Sequence, residues 1–255
     1  MELLFFIISL FATIIGAIAG LGGGIIIKPT LDAIGIYNVS TICILSAITV
    51  LSMATVSSIK FIKSGIKFDL KIIILSIGAI LGGILGNYLF EIFSKTLSDE
   101  IAKCIQALIL IFLLIFVIFR KHYPHYNIKN KFIIIIAGLF MGLISSFLGI
   151  GGGPVNVVII CIIFSISVRD SAVYSIFVIF FSQLSNVLAT VITQDLHNYN
   201  LEMLVFMIPA AILGGFIGAF LNRKLSKRAV ENIFNIVMIL IISINVYNVF
   251  AFYFK

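Results

Sequence analysis

Two short runs carry the groups most able to do chemistry: Gly20-Leu21-Gly22-Gly23-Gly24 and Gly149-Ile150-Gly151-Gly152-Gly153. Each follows an unbroken apolar approach and precedes a shorter apolar piece, 25–36 in one case and 154–166 in the other. Consecutive glycines break or kink a helix, because nothing shields their backbone and fixing it costs the most entropy. A helix that restarts after such a break turns bare N–H groups and the positive end of its dipole toward it, which suits an anion. Pro154 favours a restart in the second copy, since a proline in the first turn loses no hydrogen bond. Gly22, Gly23, Gly24, Gly151, Gly152 and Gly153 are therefore expected to line a binding site for a small anion. The paired glycines 16/20, 82/86 and 214/218 have the spacing of helix packing instead.

Neutral polar side chains in the following spans could complete such a site. Ser46, Thr49, Ser52, Thr55, Ser57 and Ser58 occupy one span, and Ser175, Ser182, Gln183, Ser185 and Asn186 the corresponding later one. Hydroxyls and amides hold an oxyanion without the desolvation cost of a buried charge. Gln183 and Asn186, three apart on one helix face, lead this set; Ser46 and Ser175 occupy equivalent places in the two halves. For most of the others, bonds to a neighbouring helix or to the preceding turn are the ordinary use. Lys28 is a lone cation on the first short arm, read either as a charge partner for the anion or as a side chain reaching for the interface. Its repeat counterpart is Val157, beside Asn156, which joins the candidate set.

Other chemistries fail on spacing. Ile25 and Pro154 stand where a dinucleotide fingerprint needs its last glycine, and no Gly-Lys-Ser/Thr follows either run. His122, His125 and His197 lie between apolar runs without carboxylate or cysteine partners, so neither a metal nor a general base is implied. Cys43, Cys104 and Cys161 are far apart inside apolar segments. No cofactor and no enzymatic activity are expected. The formal charge of +7 does not imply nucleic acid, because the basic residues sit in short clusters between apolar runs.

The elements that position these residues are membrane helices. The 255 residues are 62% hydrophobic and 11% charged, with a mean hydropathy of +1.26, so an all-α polytopic bundle in the cell membrane follows. Apolar runs near 3–20, 40–62, 70–93, 101–119, 132–149, 171–193, 203–222 and 230–253 give eight spans. If each glycine-broken unit, 3–36 and 132–166, begins and ends on the side from which it enters, one face of the membrane collects the basic residues of 60–71, 120–131, 169 and 223–228. The other receives Lys95, Lys103 and Lys255, leaving Lys28 inside the first hairpin. The asymmetry makes the first face cytoplasmic. An odd number of passes per half then inverts the second half, so that 1–119 and 132–255 are expected to be inverted repeats, each with a Gly-broken hairpin, joined by a cytoplasmic linker over 120–131. Sequence repetition agrees: a shift of 129 superposes the glycine runs and Ser46 on Ser175, and a shift of 132 superposes Ile80-Leu81-Gly82-Gly83 on Ile212-Leu213-Gly214-Gly215.

The paired G-x-G-G-G runs, Pro29, and the later Gly65-x-x-x-Asp69 loop resemble the TauE/SafE family of membrane transporters, over nearly the whole chain. The resemblance implies passage of small sulfur-containing anions, such as sulfite or organosulfonates, across the bacterial cytoplasmic membrane. Two departures stand out: the polar stretch early in the second span is reduced to Leu45-Ser46-Ala47 and Tyr174-Ser175-Ile176, and Pro29 faces Val158 in the repeat.

Residues and resemblance together lead to a secondary transporter that holds a small anion at the two breaks and works by alternating access. A channel-like permease and a non-transporting scaffold are the alternatives. No ATPase motif is present, so a gradient is the expected driving force, and no membrane-embedded Asp or Glu is expected to carry protons.

Overall fold

The computed structural model describes residues 1–124, 126–193 and 199–253, so His125, Asp195, His197 and Lys255 lie outside the described residues. Among these residues ten α-helices follow one another: α1 (Glu2–Ala19), α2 (Gly24–Ile34), α3 (Val39–Lys63), α4 (Leu70–Thr96), α5 (Asp99–Ile118), α6 (Lys131–Leu148), α7 (Gly153–Phe164), α8 (Val168–Thr193), α9 (Leu204–Lys224) and α10 (Lys227–Tyr253). Among the described residues there is no strand, and eight of these helices are long and apolar enough to cross a membrane. They coincide with the eight runs expected from hydropathy. The two shorter helices, α2 and α7, are the arms that follow the glycine runs.

Local chemistry sets the boundaries. Asn38 and Asn130 cap α3 and α6, their side-chain oxygens accepting from Thr41 N at 2.7 Å and Phe132 N at 2.9 Å. Gly20 and Gly149 end α1 and α6 in the left-handed conformation that glycine alone adopts without cost. Outward positions such as Leu81, Leu85, Phe112, Ile192 and Phe216 are exposed and apolar, as a lipid-facing surface requires.

The halves are interleaved. α1 packs on α9 as α6 packs on α4; α3 packs on α9 as α8 packs on α4; α2 packs on α10 as α7 packs on α5. Exchanging the halves carries these pairs onto one another, while α3 against α8 and α5 against α10 map onto themselves. Glycines permit the tightest of these contacts: Gly78, Gly82 and Gly86 lie against the backbone of Ile135, Leu139 and Leu143. Because the contacting positions advance together, α4 and α6 run in the same direction. The same holds for α1 with α9, where Gly214 meets Leu10, Gly218 meets Ile14, and Asn222 Nδ2 donates to Ile18 O at 2.6 Å. Ser57 to Gly215 and Arg223 to Ser64 make α3 parallel to α9. Thus α1, α3 and α9 run one way, and α4, α6 and α8 the other.

The loops sort onto two faces. Arg223 Nη1 donates to Ser64 O (2.6 Å), Arg169 Nε to Asn222 O (2.9 Å) and Lys71 Nζ to Asn127 Oδ1 (3.2 Å), while Arg120 pairs with Glu231 (3.2 Å). These contacts join 60–71, 120–131, 169 and 222–231 into one basic face. On the opposite face Val39 N donates to Asp99 Oδ1 (2.5 Å) and Lys103 Nζ to Tyr37 O (2.7 Å), and the Phe5 and Tyr37 rings meet edge to face. That last contact places the start of α1 beside the end of α2. Tyr126 N to Ile162 O and Ile128 N to Ile163 O do the same for α6 and α7 on the basic face.

Candidate functional site

Both glycine runs interrupt the helix. Gly20, Gly22 and Gly23 have φ of +74°, +83° and +77°, and Gly149, Gly151 and Gly152 have +63°, +77° and +74°, values that disfavour any residue with a Cβ. α2 then sets off from Gly24 toward the opposite face and α7 from Gly153 toward the basic face. The breaks touch: a Cβ on Gly24 would sit 2.6 Å from Ile150 O, and one on Gly153 would strike Leu21 O. Since exchanging the halves preserves those packing pairs, this contact marks the middle of the bundle. Two helix N-termini, each carrying about half a positive charge, meet there.

The polar candidates divide into those already satisfied and those that are not. Ser175 Oγ donates to Gly20 O at 2.7 Å, tying α8 to the first break. Thr49, Ser52 and Thr55 bond back to the preceding turn, and Ser57 donates to Gly215 O. Ser46 is fully buried, lies 2.8 Å from a Cβ on Gly24, and has no partner within the protein. Neither have Ser146, Ser182, nor either amide atom of Asn156, which is 1% exposed in the first turn of α7 beside Gly152. An orphaned buried polar group costs about 1–3 kcal/mol, so several around one point call for a partner from outside the chain.

From the break a hydrogen-bonded chain extends toward the opposite face. Gln183 Nε2 donates to Ser145 Oγ (2.7 Å), Asn186 Nδ2 to Gln183 Oε1 (3.4 Å), and Asn87 Nδ2 to both Asn186 Oδ1 (2.8 Å) and Thr190 Oγ1 (2.7 Å). Asn87, Ser146, Asn186 and Thr190, with Cys43 and Phe90, line a cavity of about 40 Å³, room for about three waters. Gln183 and Asn186 are thus brought together as their spacing suggests. Sequence reasoning missed Asn87, Ser145, Ser146 and Thr190. Thr190 was legible, lying one turn beyond Asn186, whereas Asn87 comes from a different half.

The site is one-sided. The shift of 129 puts Ala54, Ser57, Ile27 and Ala17 where Gln183, Asn186, Asn156 and Ser146 stand. Ala17 and Ala54 belong to an apolar cluster with Met53, Phe61, Ile176 and Ala219, which closes the bundle between the breaks and the basic face.

Lys28 is held inside the bundle. It is 3% exposed, so it does not reach the interface, and its Nζ pairs with Asp32 Oδ2 at 2.7 Å, one turn along α2. Asp32 also corrects the expectation that no acidic residue is embedded: its side chain is 8% exposed. The physical reason is local, since positions four apart on a helix face one another.

His122 lies in a 3-10 turn after α5, and no group of His, Cys, Asp and Glu among the described residues could hold a metal ion. Cys43 and Cys161 are buried thiols, and Cys104 is half-buried.

Residues 5–245 match the family model described as Sulfite exporter TauE/SafE. The chain is also 29% identical over 107 residues to "Probable membrane transporter protein YunE" of Bacillus subtilis (strain 168), a stretch covering 42% of this chain and 38% of that relative. No solved structure matches the chain. With the family model spanning nearly all of the sequence and eight helices able to cross a bilayer, the chain belongs to the TauE/SafE family and is a multi-pass protein of the cell membrane.

Proposed function

We propose that the chain is a secondary transporter for a small, sulfur-containing oxyanion such as sulfite or an organosulfonate. The observation that carries this reading is the group of buried, unpartnered donors around the two breaks, Ser46, Ser146, Asn156 and Ser182, set against two helix N-termini. Neutral donors and helix ends select a small anion with several acceptor oxygens. Gly22, Gly23, Gly24, Gly151, Gly152 and Gly153 let the backbone approach it, and Ser145, Gln183, Asn186 and Asn87 guide it from the opposite face. Ser175 positions the first break.

The two halves, 1–119 and 132–255, act as inverted repeats joined by a cytoplasmic linker at 120–131. Support comes from the packing pairs that survive their exchange and from the opposed directions of α1 and α6. Alternating access follows from the one-sided arrangement: a small cavity bordered by Asn87, Ser146, Asn186 and Thr190 toward the opposite face, and an apolar plug toward the basic face. Rocking one half against the other opens the plug and closes the cavity.

The test is exchange in proteoliposomes, with sulfite, thiosulfate, sulfoacetate and chloride. Saturable counterflow of a sulfur oxyanion, lost in Asn156→Ala, is the expected result. Flux that never saturates would favour a channel, and no flux in the wild type would leave a scaffold.

A further inference from the structure

α2 carries an ion pair that the anion site does not use. Lys28 Nζ meets Asp32 Oδ2 at 2.7 Å, with the two side chains 4% and 8% exposed. At the rise of an α-helix, Lys28 lies about 6 Å and Asp32 about 12 Å from Gly24 at the middle of the bundle, so both sit within the hydrocarbon depth. Charges at this depth are by default functional.

The carboxylate is only half used. Asp32 Oδ1 has no partner, and Asp32 lines a cavity of about 780 Å³ on the opposite face, together with Tyr37, Asp99, Lys103 and Asn248. Asn248 Nδ2 donates to Pro29 O at 2.9 Å, leaving its own Oδ1 bare as well. The groups facing the pair are Cys43 on α3, Asp99, Glu100 and Lys103 on α5, and Tyr247 and Asn248 on α10. Lys103 pairs with Asp99 (2.8 Å) and Lys28 with Asp32, which leaves Glu100 to make the cavity net negative. Such a cavity attracts protons to its free carboxylate oxygen.

Protonating Asp32 would strip Lys28 of its counter-ion. Cys43, within electrostatic reach of Lys28, also packs on Gly149 and lines the smaller cavity at the glycine breaks. Cys43 thus borders the anion site while lying within the field of the ammonium. We propose that Asp32 is a proton-binding site that couples transport: a proton entering from the opposite face neutralises Asp32, and the freed charge of Lys28 holds a monoanion at the breaks. One proton and one monoanion then bind together with no change in net charge, and the pair moves toward the alkaline side.

This inference rests on the transport reading, so the two are tested separately. The probe is radiolabelled methanesulfonate, which stays a monoanion and cannot cross as its acid. Counterflow without a gradient tests transport. A gradient of one pH unit should then concentrate the probe about tenfold in the alkaline compartment of wild-type proteoliposomes. In Asp32→Asn the ratio of accumulation to exchange should fall to near that of empty vesicles, and a Lys28→Met/Asp32→Asn double variant, which buries no lone charge, should behave alike. Wild-type accumulation by either variant overturns the proposal. If methanesulfonate fails to exchange at all, the failure falls on the transport reading, and infrared spectroscopy decides Asp32. Acidifying the reconstituted protein should raise a carboxylic-acid C=O band that Asp32→Asn removes; a band that survives the substitution overturns the proton site.

Discussion

Ser175 donates its hydroxyl across the seam between the halves to the carbonyl of Gly20, 2.7 Å away, while the matching Ser46 donates to nothing. Two residues at equivalent positions of a repeat thus have different jobs. One holds the first break in shape, and the other is left for a ligand.

The difference is measurable. Ser175→Ala removes an interhelical bond and should lower stability by about 1 kcal/mol. Ser46→Ala removes none and should leave the unfolding midpoint nearly unchanged while weakening substrate affinity. Thermal unfolding in detergent, alongside exchange in liposomes, separates the two.

Asn156 makes the same point more sharply. Its amide has no partner and is 1% exposed, so Asn156→Ala breaks no hydrogen bond and should cost less than the roughly 2–5 kcal/mol of an ordinary large-to-small core change. Exchange should nonetheless drop by about tenfold or more, the loss of one good hydrogen bond to an anion. A large fall in the unfolding midpoint would mean that Asn156 serves packing instead.

Glycines at the breaks should tolerate nothing larger. A Cβ on Gly153 collides with the Leu21 carbonyl, and Gly153→Ala should abolish monodisperse protein on size-exclusion chromatography. Gly65 also has a positive φ, +84°, but open space around it. Gly65→Ala should therefore cost only about 1–2 kcal/mol of backbone strain and still yield folded protein.

The loops at 66 and 226 belong to the basic face, since Arg223 bonds to Ser64 and Lys227 pairs with Asp170 at 3.4 Å. Single cysteines placed at Ile66 and Ser226, in a background free of the native thiols, should both react with an impermeant reagent added from the cytoplasmic side. A cysteine at Glu100 should react only from the other side. Opposite labelling of 66 and 226 would refute the topology.

The sequence by itself determined the helical class, the number of spans and the positions of the breaks. Apolar runs of bilayer length and consecutive glycines are local properties, and no tertiary contact can hide them. It also supplied Gln183 and Asn186, because residues three apart share a face whatever surrounds the helix. Tertiary structure decided the rest. Asn87 reaches Asn186 from the other half, Ser145 meets Gln183 across a helix boundary, and only packing leaves Ser46 bare while satisfying Ser175. Lys28 was visible as a cation at membrane depth, yet its burial with Asp32, and the cavity that Asp32 borders with one carboxylate oxygen unpartnered, arise only where α2, α5 and α10 converge. Spacing along a chain reveals which side chains share a face, whereas a polar group's partners, or lack of them, depend on elements far away in sequence.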